Sequence, residues 1–247
     1  MSDLKKIPEM INPFDNAPVF YIEQTLSTMK LAENAAEIAP GTVYLAGMQT
    51  SGRGRSPGRV WEGAKNKNLL FTLVLPAAKI AVKPLPVVVG LGIALYLEKY
   101  HNLHPSIKWP NDIYINDRKI AGIIIESRKG LYNIGIGINI NQTVFPESIE
   151  SSATSLSIEK NTSFELYSEL EYILIQLKKA LSLDSWHREI SSRLYNVGKE
   201  VVLSIGIPGE EKRVKGGIEG IGTSGQLLLR KEGELLEIYS GEVLLQR

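Results

Sequence analysis

Residues 106–126 read Ser106-Ile-Lys-Trp-Pro-Asn-Asp-Ile-Tyr-Ile-Asn-Asp-Arg-Lys-Ile-Ala-Gly-Ile-Ile-Ile-Glu126. Ile107 to Ile115 is rich in β-branched and aromatic residues, which fit a pleated strand. Asn116 and Asp117 both tolerate positive φ and predict a tight turn. Arg118 to Glu126 returns as the second arm of a hairpin. Two features exceed a purely structural hairpin. Pro110 interrupts the first arm, so the ladder is broken or bulged there. Asn111 and Asp112 follow, polar where a core strand is apolar, and Lys119 comes back to the same region from across the turn. A carboxylate and an ammonium on paired strands can serve a phosphate and its magnesium ion, Asp112 on the metal and Lys119 on the anion. A solvated hairpin tip is the alternative for either residue taken alone.

The rest of the composition narrows the class. A chain of 247 residues has room for one large domain and a small one. Lys and Arg number 28 against 27 for Asp and Glu, a net charge of +1, which argues against a general binder of nucleic acid or anionic membrane. With no cysteine there is neither a disulfide nor thiol chemistry. The three histidines, His101, His104 and His187, are too few and too scattered for a zinc site or a histidine-based triad. The start has no signal-peptide pattern and no stretch is apolar enough to span a bilayer, so a cytoplasmic protein is expected.

Outward from the hairpin, residues 1–17 carry the Pro, Asn and Asp of a tail, and are too few for a helix-turn-helix. Val19 to Gln24 predicts a strand, and Ser27 or Thr28 starts the helix after it. Those hydroxyls either cap the helix or hold a small polar ligand at its free N–H groups. After a strand over Thr42 to Met48 come Gln49 and the run Ser51-Gly-Arg-Gly-Arg-Ser-Pro-Gly-Arg-Val-Trp61. Gly52 to Arg59 holds three glycines and three arginines. Its spacing differs from the phosphate loop of P-loop nucleotidases. It reads as a flexible loop that folds over an anion, its arginines lacking evident protein partners, rather than as an exposed basic loop.

Asn68 to Pro76 is an almost unbroken apolar run, a buried strand, and Pro86 to Tyr100 a helix. From Ile134 to Asn141 the alternation is strict. Ile134, Ile136, Ile138 and Ile140 face one way; Gly135, Gly137, Asn139 and Asn141 face the other. A face without bulk admits a packed helix or a flat polar ligand, and the asparagines favour the ligand. Val144 to Leu156 is a polar connection. Thr162 to Glu165 fits a capping box ahead of a helix carrying Leu166, Leu170, Ile173, Leu174, Leu177 and Leu181. Asp184 is expected to cap a helix over Ser185 to Tyr195. From Gly198 onward, glycines punctuate short alternating strands, the pattern of a small barrel.

Four blocks stand in order: Ser27-Thr28, Gln49 with Gly52-Arg-Gly-Arg55 to Trp61, Lys108-Trp-Pro-Asn-Asp112 to Glu126, and Gly135-x-Gly-x-Asn139. Their combination resembles the biotin protein ligases over most of residues 19–247, in a form without the N-terminal DNA-binding domain. The resemblance implies an α+β fold: a mixed sheet with flanking helices, class II synthetase-like, plus a C-terminal SH3-like barrel that Ser240 to Leu245 closes. It divides the chain into a tail (1–17), a biotin- and ATP-binding catalytic domain (18–196) and the barrel (197–247). The implied reaction joins the biotin carboxylate to the α-phosphate of ATP, with magnesium, giving biotinyl-5'-AMP. A lysine of a biotin carboxyl carrier domain then takes the biotinyl group.

The resemblance also implies roles. Ser27, Thr28, Gln49, Arg53, Gly54, Arg55, Lys119, Gly122, Gly135 and Gly137 would serve biotin. Arg55, Arg59, Trp61, Asn111, Asp112, Lys119 and Asn139 would serve ATP, with Asp112 on Mg2+, Asn139 at the adenine, and Lys119 and Arg55 as the catalytic cations. Two departures stand out: Met29 replaces the family's usual Asn, and Ser56-Pro57 adds a residue to the arginine loop. Implied partners are a carboxylase carrier domain, with neither DNA nor membrane, in a monomer or homodimer. The rivals are a lipoate or octanoate ligase of the same fold, and a non-catalytic biotin-binding regulator.

Overall fold

A computed structural model describes residues 3–35, 39–55, 58, 60–79, 83–206 and 210–244. The first part of the chain runs β1 (Lys5–Lys6), β2 (Val19–Thr25), α1 (Thr28–Asn34), β3 (Val43–Gln49), β4 (Asn68–Pro76) and α2 (Leu85–His101). The central stretch gives β5 (Ser106–Lys108), β6 (Asp112–Ile115), β7 (Arg118–Arg128) and β8 (Leu131–Asn139). Helices α3 (Leu156–Lys160), α4 (Leu166–Ser182) and α5 (Trp186–Ser191) follow. The chain ends in β9 (Glu200–Ile205), β10 (Lys212–Ile221), β11 (Leu227–Lys231), β12 (Glu234–Ile238) and β13 (Glu242–Leu244).

The large sheet is mixed, in the order β1-β2-β3-β4-β8-β7-β6-β5, with β2 and β3 parallel. The strict alternation places the isoleucines of β8 in the core, Ile134 and Ile138 fully buried. Against that face lies α2, buried almost all round. Two of its glycines explain the packing. A Cβ on Gly90 would meet Ile113, Ile107 and Ile123 of the sheet, whereas one on Gly92 would come within 2.7 Å of Leu177 in α4. The helix is thus pressed between sheet and α4, and the absent side chain at Gly92 lets two backbones approach. The leucine stripe of α4 is core, as its spacing predicts. His101, Tyr96 and Glu169 form a buried hydrogen-bonded cluster between these helices, so His101 stands in the interior rather than in a site. On the opposite face of the sheet α1 covers Tyr44 and Val74 and leaves a cleft beside it.

At Pro110 the first arm is broken, one of the two outcomes expected: the proline lies in a connection that separates β5 from β6, which pair antiparallel with Lys108 opposite Asp112. Other expectations are corrected. The opening segment is no free tail: β1 pairs with β2, Phe14 is in the core, and the buried Asn12 amide donates to the carbonyls of Ala17 and Gly41. The capping box at Thr162 does not form. Asn141 bonds both backbone groups of Phe164, so α4 starts later, with Glu165 accepting from the Ser168 N–H at 2.8 Å. Ser185, not Asp184, is the cap residue of α5, and it makes no side-chain cap. The last strands form a second antiparallel sheet, β12-β11-β10-β9-β13. Among the described residues β12 and β13 share no ladder, so the expected barrel closure is not seen; Leu245 lies outside those residues.

Candidate active site

The turn at Asn116 and Asp117 forms as read, both residues at positive φ. It folds β7 back on β6, with Asp112 opposite Gly122 and a bulge that sets Lys119 opposite Tyr114. The result is an ion pair: Lys119 Nζ stands 2.7 Å from Asp112 Oδ1. Asp112 Oδ1 is buried and makes no aligned hydrogen bond among the described residues, so this Coulombic contact is its principal support. The backbone of Lys119 is held on both sides, its N–H by Ser152 and its carbonyl by Thr154. Asn111, one residue before Asp112, donates its amide to the Ile123 carbonyl at 2.8 Å, and Ile123 N–H returns to the Asn111 carbonyl at 3.0 Å.

These residues border a cleft of about 460 Å³ whose floor is the glycine face of β7 and β8. Gly122 and Gly137 are ladder partners, and the Trp61 indole lies across both. A Cβ on Gly137 would stand 2.5 Å from Trp61 Cε2, and one on Gly122 would stand 2.9 Å from Cζ3. The third glycine, Gly135, faces Met29, whose Sδ would be 2.8 Å from an added Cβ. The bulk missing from this face is therefore supplied by two side chains of the protein, neither a helix backbone nor an open ledge. Lys119 Nζ is 5.5 Å from the Trp61 ring centroid, within cation–π range. Trp61 Nε1 is buried and makes no hydrogen bond among the described residues.

The far wall is the start of α1. Ser27 caps it, accepting from Met29 N–H at 3.2 Å. Gln49 Oε1 accepts from the Thr28 N–H at 2.8 Å and lies 3.2 Å from its hydroxyl, which Thr72 also contacts at 2.8 Å. Ser27, Thr28 and Thr72 are buried and Gln49 is half-buried, and their mutual hydrogen bonds fix their orientation.

The base of the arginine loop is closed by the Arg53–Val60 bridge. Its described arginines do have protein partners. Arg53 pairs with Glu126 at 3.4 Å, and Arg55 donates to the Gly241 carbonyl of the second sheet at 2.6 Å. Arg59 and Ser56-Pro57, where the loop is one residue longer than usual, lie outside the described residues.

Of the residues singled out in the sequence, Ser27, Thr28, Gln49, Arg53, Gly54, Arg55, Trp61, Asn111, Asp112, Lys119, Gly122, Gly135 and Gly137 border this one cleft. Asn139 does not. It is buried and donates to the carbonyl of Thr154, the residue whose N–H bonds the Lys119 carbonyl, at 2.9 Å. Glu126 and Ile123 to Ile125 also line the cleft and were not singled out, since they read as ordinary strand residues. Glu159 of α3 was missed as well. It ties Asn116, Arg118 and Thr154 together around the hairpin turn.

Comparison with known proteins agrees with this geometry. Residues 21–141 match the Biotin/lipoate A/B protein ligase family. The bifunctional ligase/repressor BirA of Bacillus subtilis is 31% identical over 91% of this chain and 73% of its own length. The biotin–[acetyl-CoA-carboxylase] ligase of Mycobacterium tuberculosis is 28% identical over 90% of this chain and 87% of its own. The biotin protein ligase of Aquifex aeolicus, solved with biotin and ATP, is 30% identical, covers 93% of this chain and 98% of its own, and superposes with a TM-score of 0.82. The chain belongs to the biotin/lipoate A/B protein ligase family. Within it, the chain stands with the biotin protein ligases.

Proposed function

We propose that this cleft makes biotinyl-5'-AMP from biotin and ATP and passes the biotinyl group to a lysine of a biotin carboxyl carrier domain. In the first step a biotin carboxylate oxygen bonds to the α-phosphorus of ATP and pyrophosphate leaves. In the second, the carrier lysine nitrogen bonds to the acyl carbon and AMP leaves. The observation that carries the reading is the Lys119–Asp112 pair at 2.7 Å beside the glycine floor. Strand pairing sets this cation at the edge of the cleft, within reach of the charge that grows between carboxylate and phosphorus. We assign Ser27, Thr28 and Gln49 to the biotin ring, with the Gly135 and Gly137 face seating Met29 and Trp61, the side chains that border the ring's site. Arg53 and Arg55 belong to the closing loop, and Trp61 and Asn111 to the nucleotide.

Magnesium fits Asp112. A magnesium ion is commonly held by one or two carboxylates, the phosphates and water, and Asp112 Oδ1 is a buried acceptor without an aligned donor. When bound, the ion would neutralise phosphate charge. Asp112 would hold it, Asn111 would orient the strand end, and Lys119 would turn to the reacting anion.

The second sheet is read as the SH3-like domain of the family. Among the described residues no helix is long and apolar enough to cross a membrane; we place the enzyme in the cytoplasm, acting on a carrier protein and not on DNA. Pyrophosphate exchange into ATP tests the reading. It should require biotin and be unsupported by lipoate. Exchange with lipoate alone would select the sister activity, and none with either would leave a binding protein.

A further inference from the structure

Besides the Arg55–Gly241 contact at the arginine loop, the turn between β10 and β11 reaches the segment that carries Asn111 and Asp112 through a hydrogen bond. The buried Trp109 indole N–H donates to the Gly225 carbonyl at 3.0 Å. Trp109 opens the short connection Trp109-Pro110-Asn111 between β5 and β6. Asn111 closes that connection against Ile123 of β7 through the two hydrogen bonds already described. Asp112 is the next residue. The segment presenting Asn111 and Asp112 is thus anchored at one end by the large sheet and at the other by the small one.

The turn that supplies Gly225 is built to hold its carbonyl still. Gly222 N–H donates to the Gln226 carbonyl at 2.8 Å, and Gly225 N–H to the Gly222 carbonyl at 2.9 Å. The Gln226 side chain is buried and accepts from Ser224 N–H at 3.0 Å. It fills the space over Gly222, where an added Cβ would lie 2.3 Å from it. Gly225 has φ +83°, and its own Cβ would stand 2.1 Å from Pro84 Cβ, so the turn is wedged against the start of α2. Pro84 and Trp109 together fix the carbonyl. Among the described residues, none of these hydrogen bonds involves Ser27, Thr28 or Gln49.

We infer that the turn Gly222–Gln226 positions the magnesium–ATP half of the cleft through Trp109, with Gln226 as the positioning residue. This rests on the proposed assignment of Asn111 and Asp112 to magnesium and phosphate. Small displacements of a reacting group are costly, and moving the Gly225 carbonyl moves Asp112 relative to Lys119 while leaving the biotin wall in place.

The test compares Gln226→Ala and Trp109→Phe with wild type in the full chain. Affinity for a magnesium-bound, non-hydrolysable ATP analogue and for biotin is measured by calorimetry, and KM for ATP by pyrophosphate exchange. The loss of one hydrogen bond corresponds to about three- to tenfold weaker MgATP binding. We expect that loss in both variants, a matching rise in KM, and biotin affinity within about twofold of wild type. The chain has three tryptophans, so its indole N–H spectrum is simple. The Trp109 proton should exchange slowly in wild type and faster in Gln226→Ala. Unchanged MgATP affinity in folded Gln226→Ala would overturn the inference, as would biotin affinity falling by the same factor. Should Trp109→Phe fail to fold, Gln226→Ala alone decides. Biotin-dependent exchange by wild type checks the underlying reading separately from either variant.

Discussion

Asp112 and Lys119 come from different strands, seven positions apart, and meet at 2.7 Å because the β6–β7 ladder carries a bulge between them. A regular ladder would continue the alternation and carry Lys119 out of step with Asp112. The pair therefore depends on one irregularity of pairing as much as on its two side chains.

Replacing the cation tests its role. Lys119→Ala should fold, since the lysine side chain is about a third exposed and its backbone bonds remain. Adenylate formation should fall by about two to three orders of magnitude, the usual loss for a group that stabilises developing charge. Wild-type exchange rates in a folded variant would remove Lys119 from the reaction.

The glycine floor gives a second test. In Gly137→Ala the new methyl would sit 2.5 Å from the Trp61 ring, so the indole must shift. Overpacking of this kind costs about 1–3 kcal/mol. Trp61 emission should change and biotin should bind at least about tenfold more weakly. Biotin affinity equal to wild type, by calorimetry, would show that the seating of the indole on this face does not shape the biotin site.

Arg55 bears on retention of the adenylate. It now donates to the Gly241 carbonyl, so closing over an anion exchanges a neutral acceptor for a charged one. A charge-assisted contact is worth about 1.5–3 kcal/mol, which corresponds to roughly ten- to hundredfold faster escape of the mixed anhydride. Arg55→Gly should still make biotinyl-AMP and should label bystander lysines. Serum albumin incubated with the variant, biotin and ATP is then probed for biotin. Unlabelled albumin alongside demonstrable adenylate would move the retaining role to another loop arginine.

The hairpin turn carries a pH signature. Tyr195 donates to Asp117 at 2.8 Å. Burial first, and the Asp117 carboxylate second, push its phenol up to about 12. The folded protein keeps this proton longer than the unfolded chain. The contact therefore stabilises fully below the ordinary value of 10.0 and fades as pH rises to about 12. Melting curves of wild type and Tyr195→Phe should differ at neutral pH and converge across that interval. A constant gap would mean that the hydroxyl is not coupled to the fold.

Much of this was legible in the sequence, and the omissions share a cause. Period-two patterning gave β8 and its glycine face because strand geometry is local. What covers that face was not legible, since Trp61 and Met29 arrive from 76 and 106 residues away in sequence from Gly137 and Gly135 respectively. The start of α4 was misread because a distant asparagine, Asn141, takes the backbone of Phe164, and a local capping rule cannot see it. Asn139 was placed correctly on a strand, yet its amide turns to Thr154, a choice set by tertiary packing. The partners of Arg53 and Arg55 likewise lie far along the chain, Glu126 in β7 and Gly241 in the turn between β12 and β13.

The short ends of the large sheet bear on how this enzyme behaves at high concentration. An unpaired strand edge invites another chain to add to it, and short, lysine-bearing edges resist this. β1 is two exposed lysines, Lys5 and Lys6, laid along β2. At the other side, residues 193–195 bond both backbone groups of Ile107 and close off β5. Among the described residues, β1 shortens the open run on the β2 rim to Ile22–Thr25. Stripping β1 would bare the Val19–Thr25 strand, with its Phe20, Tyr21 and Ile22, and the trimmed protein should scatter more light than the untrimmed one at equal concentration.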